Sequence, residues 1–254
     1  MNLKQVSTIL FFTILSAISL FASGNKEEGV IMFAGSGGYP PFNFITESNE
    51  VDGFDVDVAK EIAKRLDLEL EYVTTAWDGI IEGLRASRYN GILGSMAVTE
   101  EREKIVDFTT PYYYSGAQII TKKDSNIKSL EDIDETTTIA VVTGTTFVKD
   151  VDALGANVRM YEDDNQTLME LLNGRVDAVI TDRVVGLNAM KQIKGGEDLK
   201  LTGELLRKEE CAIALKKGDD LLDEINKILM DMRGDGTLKK ISNKWFEGSD
   251  ITVP

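Results

Sequence analysis

Short apolar runs alternate with amphipathic segments along most of the chain. The pattern predicts strands at residues 30–34, 68–74 and 91–95, and helices at 55–66 and 77–86. In the first helix, Phe54, Val58 and Ile62 fall on one face. A helix with one apolar face packs against a sheet, so this part of the chain indicates βαβ units.

The same alternation begins again in the second half. It predicts strands at 139–142, 158–161 and 178–182, helices at 145–153 and 164–173, a closing strand at 210–215, and a last helix from 221 that Gly234 stops. The expected fold is therefore α/β, with a mostly parallel sheet flanked by helices. No Pro- or Ser-rich linker separates the two blocks, which fits two lobes joined by short strands, with a cleft at the carboxyl ends of their strands.

The amino end predicts export. Residues 1–24 carry Lys4 as their only charge, and a neutral, mostly apolar stretch runs from residue 6 to 23. At about 1.5 Å per residue the apolar part is shorter than the roughly 30 Å hydrocarbon core. We therefore expect residues 1–24 to be a signal peptide, cleaved after Ala22 or Gly24, and the mature protein to be periplasmic. No Cys follows the apolar run, so a lipoprotein is not expected.

Composition excludes several function classes. With 28 Lys plus Arg against 43 Asp plus Glu, the net charge of −15 argues against nucleic acid as a partner. The chain has no His and one Cys, Cys211, so His-dependent nucleophiles, His-ligated zinc and an internal disulfide are excluded. The acidic group Asp52, Asp55 and Asp57 does not fit a calcium loop, and we interpret it as a polar loop and helix start. We expect no enzyme, no cofactor and no bound metal.

Three positions near predicted strand ends could contact a small charged ligand. Arg102 follows the strand at 91–95 and could bind a carboxylate with two hydrogen bonds, although its Glu neighbours also fit an ordinary surface ion pair. Thr146 lies between a strand and a helix, where backbone amides suit an anion or simply begin the helix. Asp182 ends a strand and could bind a cation or cap the next helix.

A rigid loop and a tryptophan supply apolar surface. The glycines of residues 35–42 resemble a dinucleotide-binding loop, but the two prolines there remove amide donors and prevent a helix from continuing. The loop is instead an extended turn that fixes Tyr39 and Phe42, at a cleft or at the edge of the core. Trp77 is either a ligand platform or a core residue. Together with the charged positions, these side chains match the needs of an amino acid.

The order of several motifs resembles the bacterial extracellular solute-binding proteins of family 3, the polar-amino-acid receptors of ABC importers. The motifs are Tyr-Pro-Pro-Phe at 39–42, Gly-Phe-Asp-Val-Asp-Val-Ala at 53–59, Trp-Asp-Gly-Ile-Ile at 77–81, Met-Ala-Val-Thr-Glu-Glu-Arg at 96–102, Val-Asp-Phe-Thr-Thr-Pro-Tyr-Tyr at 106–113, Gly-Thr-Thr at 144–146 and Gly-Arg-Val-Asp-Ala-Val-Ile-Thr-Asp at 174–182. The resemblance runs through the whole mature chain.

The resemblance implies the two-lobed periplasmic-binding-protein fold of type II. Lobe 1 would contain residues 25–115 and 210–254, and lobe 2 residues 120–205. Two crossing strands near 115–119 and 205–211 would form the hinge. A ligand that contacts both lobes would favour the closed form.

The resemblance also implies roles for individual residues. Arg102 would bind the ligand's α-carboxylate with the amides of Ala97 and Thr146, and Asp182 would bind the α-ammonium. Tyr39 and Trp77 would enclose the side chain, while Gly94 and Ser95 would line the floor.

Three departures from the family pattern concern specificity. Ser36 and Phe147 replace an acid and a Gln that are common in receptors for basic amino acids, and Ala97 replaces a hydroxyl residue. We therefore expect a free L-amino acid with an uncharged polar or moderately apolar side chain, and a membrane permease of an ABC importer as partner to a monomeric protein. A cyclohexadienyl or arogenate dehydratase-like enzyme on the same scaffold, and a ligand-binding sensor for a chemoreceptor, are the alternatives.

Overall fold

Strands and helices alternate along the chain as the hydrophobic pattern predicts. The computed structural model describes residues 29–254, so the predicted signal peptide lies outside the described residues. The strands are β1 (Val30–Gly35), β2 (Gly38–Tyr39), β3 (Asn43–Ile45), β4 (Val51–Asp52), β5 (Glu69–Thr74), β6 (Gly91–Ala97), β7 (Val106–Phe108), β8 (Tyr113–Lys122), β9 (Thr138–Val142), β10 (Asn157–Tyr161), β11 (Ala178–Asp182) and β12 (Leu199–Lys216). The helices are α1 (Phe54–Arg65), α2 (Ile80–Arg85), α3 (Glu100–Glu103), α4 (Phe147–Leu154), α5 (Asp164–Leu172), α6 (Arg183–Gln192), α7 (Leu221–Gly234) and α8 (Thr237–Trp245).

Within the described residues, nine strands form one mixed sheet. Its path is β10-β9-β11-β8-β12-β6-β1-β5, with β7 paired to β12. The pairs β1–β6, β9–β10 and β9–β11 are parallel, whereas β8 and β12 are antiparallel to their neighbours. The α/β prediction is confirmed, but the sheets expected in separate lobes are continuous because β8 and β12 join them. Among residues 29–254, no helix is long and apolar enough to cross a membrane.

The closing strand is much longer than predicted. Residues 210–215 are only the last part of β12, which begins at Leu199 and spans 18 residues. Its pairing with β8 shifts register between Thr202 and Arg207, where the backbone of Gly203 has φ +67°. Extra residues in one strand of an antiparallel pair form a bulge. This bulge and the polar residues around it hide the strand from a pattern search.

Buried side chains form separate groups on the two sides of this long strand pair. Two clusters draw their buried residues from between Ala117 and Leu199. Two others draw theirs from between Ile31 and Tyr113 and from Cys211 onward, with Val185 as the one exception. The exact lobe boundaries given above stay a prediction.

Asp55 lies buried at the start of α1, in contact with the end of β6. Its side chain is 0% exposed and accepts hydrogen bonds from Asn43 Nδ2 (2.8 Å), Ser95 Oγ (2.9 Å) and Tyr112 Oη (2.7 Å). Burial raises the pKa of Asp55 to about 7, although the three donors oppose the rise. The interpretation of this acid as part of a polar loop was wrong in that respect: Asp55 begins a helix but faces the interior.

The hydrogen bond from Ser95 Oγ to Asp55 helps to hold Ser95 in an unusual backbone conformation. Ser95 has φ +60°, and its amide donates to Tyr112 Oη at 2.9 Å. Left-handed backbone is unfavourable for a residue with a Cβ and persists where the surroundings fix it. Asp55 therefore couples α1 to the end of β6.

A substitution at Gly53 tests the close approach of the backbone in the turn before α1. It has φ +136°, and a Cβ there would lie 2.1 Å from Phe42 O, so Gly53→Ala requires the turn before α1 to move. Gly155→Ala is the matched control, because Gly155 has φ +69° but no heavy atom within 4 Å of the added carbon. We expect the control to lose about 1 kcal/mol of unfolding free energy and Gly53→Ala to lose at least about 2 kcal/mol more. Equal losses in urea denaturation would contradict the close approach.

A second prediction concerns pH. Because the pKa of Asp55 is about 7 in the folded protein against an ordinary 3.8, the folded state keeps a proton that the unfolded state releases between these values. Stability contributed by this group therefore falls as pH rises from about 4 to about 7. Relative to Asp55→Asn, the free energy of unfolding of the wild type should fall by up to roughly 4 kcal/mol over that range. Urea titrations at several pH values measure this, and a constant difference would refute the raised pKa.

Candidate functional site

Strand ends from both parts of the sheet meet around one small cavity. The cavity lies beside the residues that follow β1, β6, β9 and β10, as expected for the carboxyl ends of parallel strands. Its lining residues are Ser36, Gly38, Tyr39, Trp77, Gly94, Ser95, Ala97, Arg102, Val142, Thr145, Thr146, Phe147, Glu162, Asp163, Asp164 and Glu209. A volume of about 50 Å³ gives room for a few water-sized groups, since each needs roughly 10–15 Å³.

The structure brings together most of the residues predicted from the sequence. Of the predicted ligand-binding residues, Asp182 is absent from the lining of the cavity, and the other seven are present: Tyr39, Trp77, Gly94, Ser95, Ala97, Arg102 and Thr146. They come from segments far apart in the chain. The family resemblance and the strand-end positions therefore select residues that converge in space, while their roles toward a ligand stay predictions.

Arg102 presents a guanidinium that carries no ion pair with residues 29–254. Thr99 caps α3 by accepting a hydrogen bond from the Arg102 amide at 3.2 Å, which fixes the start of the Arg102 side chain. Nη1 donates to Ala97 O at 2.8 Å and Nη2 to Gly144 O at 3.2 Å. Burial lowers the pKa of Arg102 below its ordinary value. A guanidinium has five N–H donors, so this side chain keeps donors for an anion.

Trp77 lies beside this guanidinium. The Arg102 Cζ atom is 5.7 Å from the centre of the Trp77 ring, within range of a cation–π contact. The indole Nε1 donates to Gly144 O at 3.3 Å, so the same carbonyl accepts from both Trp77 and Arg102. Trp77 is therefore placed at the cavity rather than fully within the core.

Glu209 is a cavity residue that the sequence did not indicate. It is 7% exposed, and its Oε1 accepts from Thr146 Oγ1 (2.7 Å) and Arg207 Nη1 (2.6 Å). Arg207 also forms two hydrogen bonds to Asp150, at 2.9 and 2.8 Å. Burial opposes the charge of Arg207, but these acids raise its pKa above the ordinary value. Glu209 lies in the segment 205–211 that was expected as a hinge strand, but nothing in the sequence marked it as a residue that lines the cavity.

Asp182 adopts the capping role that the sequence left open. Its side chain is 1% exposed, and Oδ1 accepts from the Val184 amide at 2.7 Å, at the start of α6. Burial raises the pKa of Asp182 to about 7, and the charge of Glu209 adds to the rise. Contact with a ligand's ammonium is not observed for this residue and stays a prediction.

The chemistry available at the cavity is binding through charge and hydrogen bonds. Among residues 29–254, no group of three or more His, Cys, Asp or Glu is placed to hold a metal ion. The lining combines one guanidinium, three aromatic side chains and several carboxylates. A small molecule with both signs of charge fits this combination.

Comparisons with known proteins agree with this geometry. The family model for bacterial extracellular solute-binding proteins, family 3, matches residues 31–248. The L-cystine-binding protein TcyJ of Escherichia coli K12 is 36% identical over 232 residues, covering 89% of this chain and 86% of the relative.

Solved structures give the same result. An ancestral arginine-binding protein bound to glutamine has a TM-score of 0.82 and 38% identity, covering 87% of this chain and 99% of its own. The ancestral amino acid-binding protein AncCDT-1, a precursor of cyclohexadienyl dehydratase, has a TM-score of 0.80 and 34% identity, covering 86% of this chain and 96% of its own.

These similarities test two predictions, that the chain is a binding protein rather than an enzyme and that it has the type II fold. All three relatives carry the names of binding proteins, including the precursor of the dehydratase, in agreement with a chain that is not an enzyme. The structural neighbours have the type II periplasmic-binding-protein fold, which confirms the expected fold class. The chain belongs to the bacterial extracellular solute-binding proteins of family 3.

Proposed function

We propose that this protein binds a free amino acid in the cavity beside Arg102 and delivers it to the permease of an ABC importer. One observation carries the proposal: the Arg102 guanidinium, which makes no ion pair among residues 29–254, lines a cavity at which strand ends from both parts of the sheet meet. An α-carboxylate is the anion that satisfies such a group with two parallel hydrogen bonds.

The remaining cavity residues complete the proposed site. The amides of Ala97 and Thr146 support the carboxylate, Tyr39 and Trp77 enclose the side chain, and Gly94 with Ser95 forms the floor. Asp182 is the proposed partner of the ammonium, and Glu209 lies closer to the cavity as a second acid. Charge-assisted hydrogen bonds contribute about 1.5–3 kcal/mol each, so several together give micromolar or tighter binding.

Binding is coupled to closure in this proposal. Arg102 belongs to proposed lobe 1 (25–115 and 210–254), and Gly144 to proposed lobe 2 (120–205). The hydrogen bonds from Arg102 and Trp77 to Gly144 O span the two lobes. A ligand held by both lobes interacts best with the closed form and shifts the equilibrium toward it.

The proposals for export and for ligand specificity rest on features of the sequence. Family members are extracellular by description, and we propose that this chain is exported by a signal peptide cleaved after Ala22 or Gly24 and acts as a monomer. Ser36, Ala97 and Phe147 line the cavity near Arg102 and place no charge there. On the expectation drawn from the sequence, these three residues favour a ligand whose side chain is uncharged polar or moderately apolar.

The test of this function is Arg102→Ala, with Lys104→Ala as a control that removes an exposed positive charge two residues away. Calorimetric titration with the common amino acids identifies the ligand of the wild type. We expect Arg102→Ala to weaken its binding by about 100-fold or more, since loss of a charged partner that hydrogen-bonds the ligand's carboxylate costs roughly 3 kcal/mol. The control should bind normally. Near-normal affinity of a folded Arg102→Ala protein would reject the proposed site.

A further inference from the structure

A second cavity adjoins the Arg102 cavity, and Asp164 lines both. The second cavity has a volume of about 440 Å³ and is lined largely by apolar groups, among them Pro40, Phe44, Leu168 and Trp245. Its lining from residues 29–254 includes no Lys or Arg. The Arg102 cavity is far smaller, at about 50 Å³. Because Asp164 lines both cavities, a ligand whose carboxylate contacts Arg102 can extend past Asp164 into the larger cavity.

The carboxylate of Asp164 has no cation facing it in the described part of the chain. The side chain is 4% exposed and begins α5 directly after β10. The Thr181 hydroxyl lies near enough to affect Asp164 but makes no hydrogen bond of ordinary geometry. Burial raises the pKa of Asp164 to about 7, which reflects the same lack of a positive partner. A buried carboxylate is normally paired or hydrogen-bonded.

Neighbouring acids are already occupied or exposed. Asp163 caps α5 and accepts from the Gln166 amide at 2.9 Å, and Glu162 is exposed. Glu209 is paired with Arg207. Asp164 is therefore the one of these acids that is buried at the cavity without a charged partner among residues 29–254.

We infer that Asp164 is a specificity-determining residue, and that it binds a cationic nitrogen, ammonium or guanidinium, at the far end of the ligand's side chain. The inference rests on the proposed function, because it assumes that Arg102 holds the α-carboxylate. It revises the specificity expected from the sequence, which considered Ser36 and Phe147 but not the acid after β10. The uncharged surface near Arg102 then contacts the middle of the side chain.

Two matched ligand pairs test the subsite: L-lysine against L-norleucine, and L-arginine against L-citrulline. Each pair differs chiefly in the distal charge, and L-cystine adds a distal ammonium within a second zwitterion. Calorimetry is done on the protein purified after expression of the full-length sequence, as wild type, Asp164→Asn and Asp152→Asn. The last variant removes an exposed acid on α4 that lies outside both cavities.

The expected result is selective. Wild type should prefer at least one distal cation over its neutral partner, and Asp164→Asn should weaken that ligand by roughly 10- to 100-fold. The same variant should change neutral ligands by less than about threefold, and Asp152→Asn should change neither class.

Other outcomes separate the two proposals. Wild type that prefers neutral amino acids, or an Asp164→Asn variant that leaves cationic ligands unchanged or weakens both classes equally, overturns the subsite. If such binding still depends on Arg102, the proposed function stands. Failure of the wild type to bind any amino acid overturns both.

Discussion

The antiparallel pairing of β8 with β12 is the interaction on which the rest of the structure depends. The pair runs from Tyr113 opposite Cys211 to Lys122 opposite Leu199. On one side β12 bonds to β6, and on the other β8 bonds to β11. Two groups of parallel strands are thereby held in one sheet. Their carboxyl ends face a common space because the connecting pair fixes the position of both groups.

Side chains of both signs of charge line that space. Arg102 lines it without an ion pair among the described residues, and carboxylates that follow β10 or lie on β12 line it as well. Arg207 pairs with both Glu209 and Asp150, so it neutralises part of this acidic charge and holds Glu209 in place. A molecule with separated charges can align with such a field, whereas a simple anion or cation satisfies only one side.

Local pattern was sufficient for elements with regular periodicity. The predicted strand at 178–182 is β11, and the predicted helix at 55–66 differs from α1 by one residue at each end. The pattern failed where polar residues and a bulge interrupt β12, and at α8, which begins at Thr237, separated by only two residues from the end of α7. Both elements owe their conformation to partners that are distant in the sequence.

The residues of the site also fall into two groups, those that the sequence marked and those that it did not. Arg102, Trp77 and Thr146 were found because motif order and strand ends mark them. Asp55, Asp164 and Glu209 were not, because their importance comes from burial, and burial depends on what packs against them rather than on residue type. Asp182 was named correctly as a strand-end acid, but two roles for it could not be separated without the hydrogen bond to Val184.

The position of Trp77 gives the molecule an intrinsic optical reporter. The chain has two tryptophans. Trp77 lines the Arg102 cavity, while Trp245 donates to Asp57 Oδ2 at 2.8 Å beside α1. Indole emission depends on the polarity and charge around the ring. Occupancy of the Arg102 cavity therefore alters the emission of Trp77, whereas Trp245, which lines the second cavity, reports on that cavity.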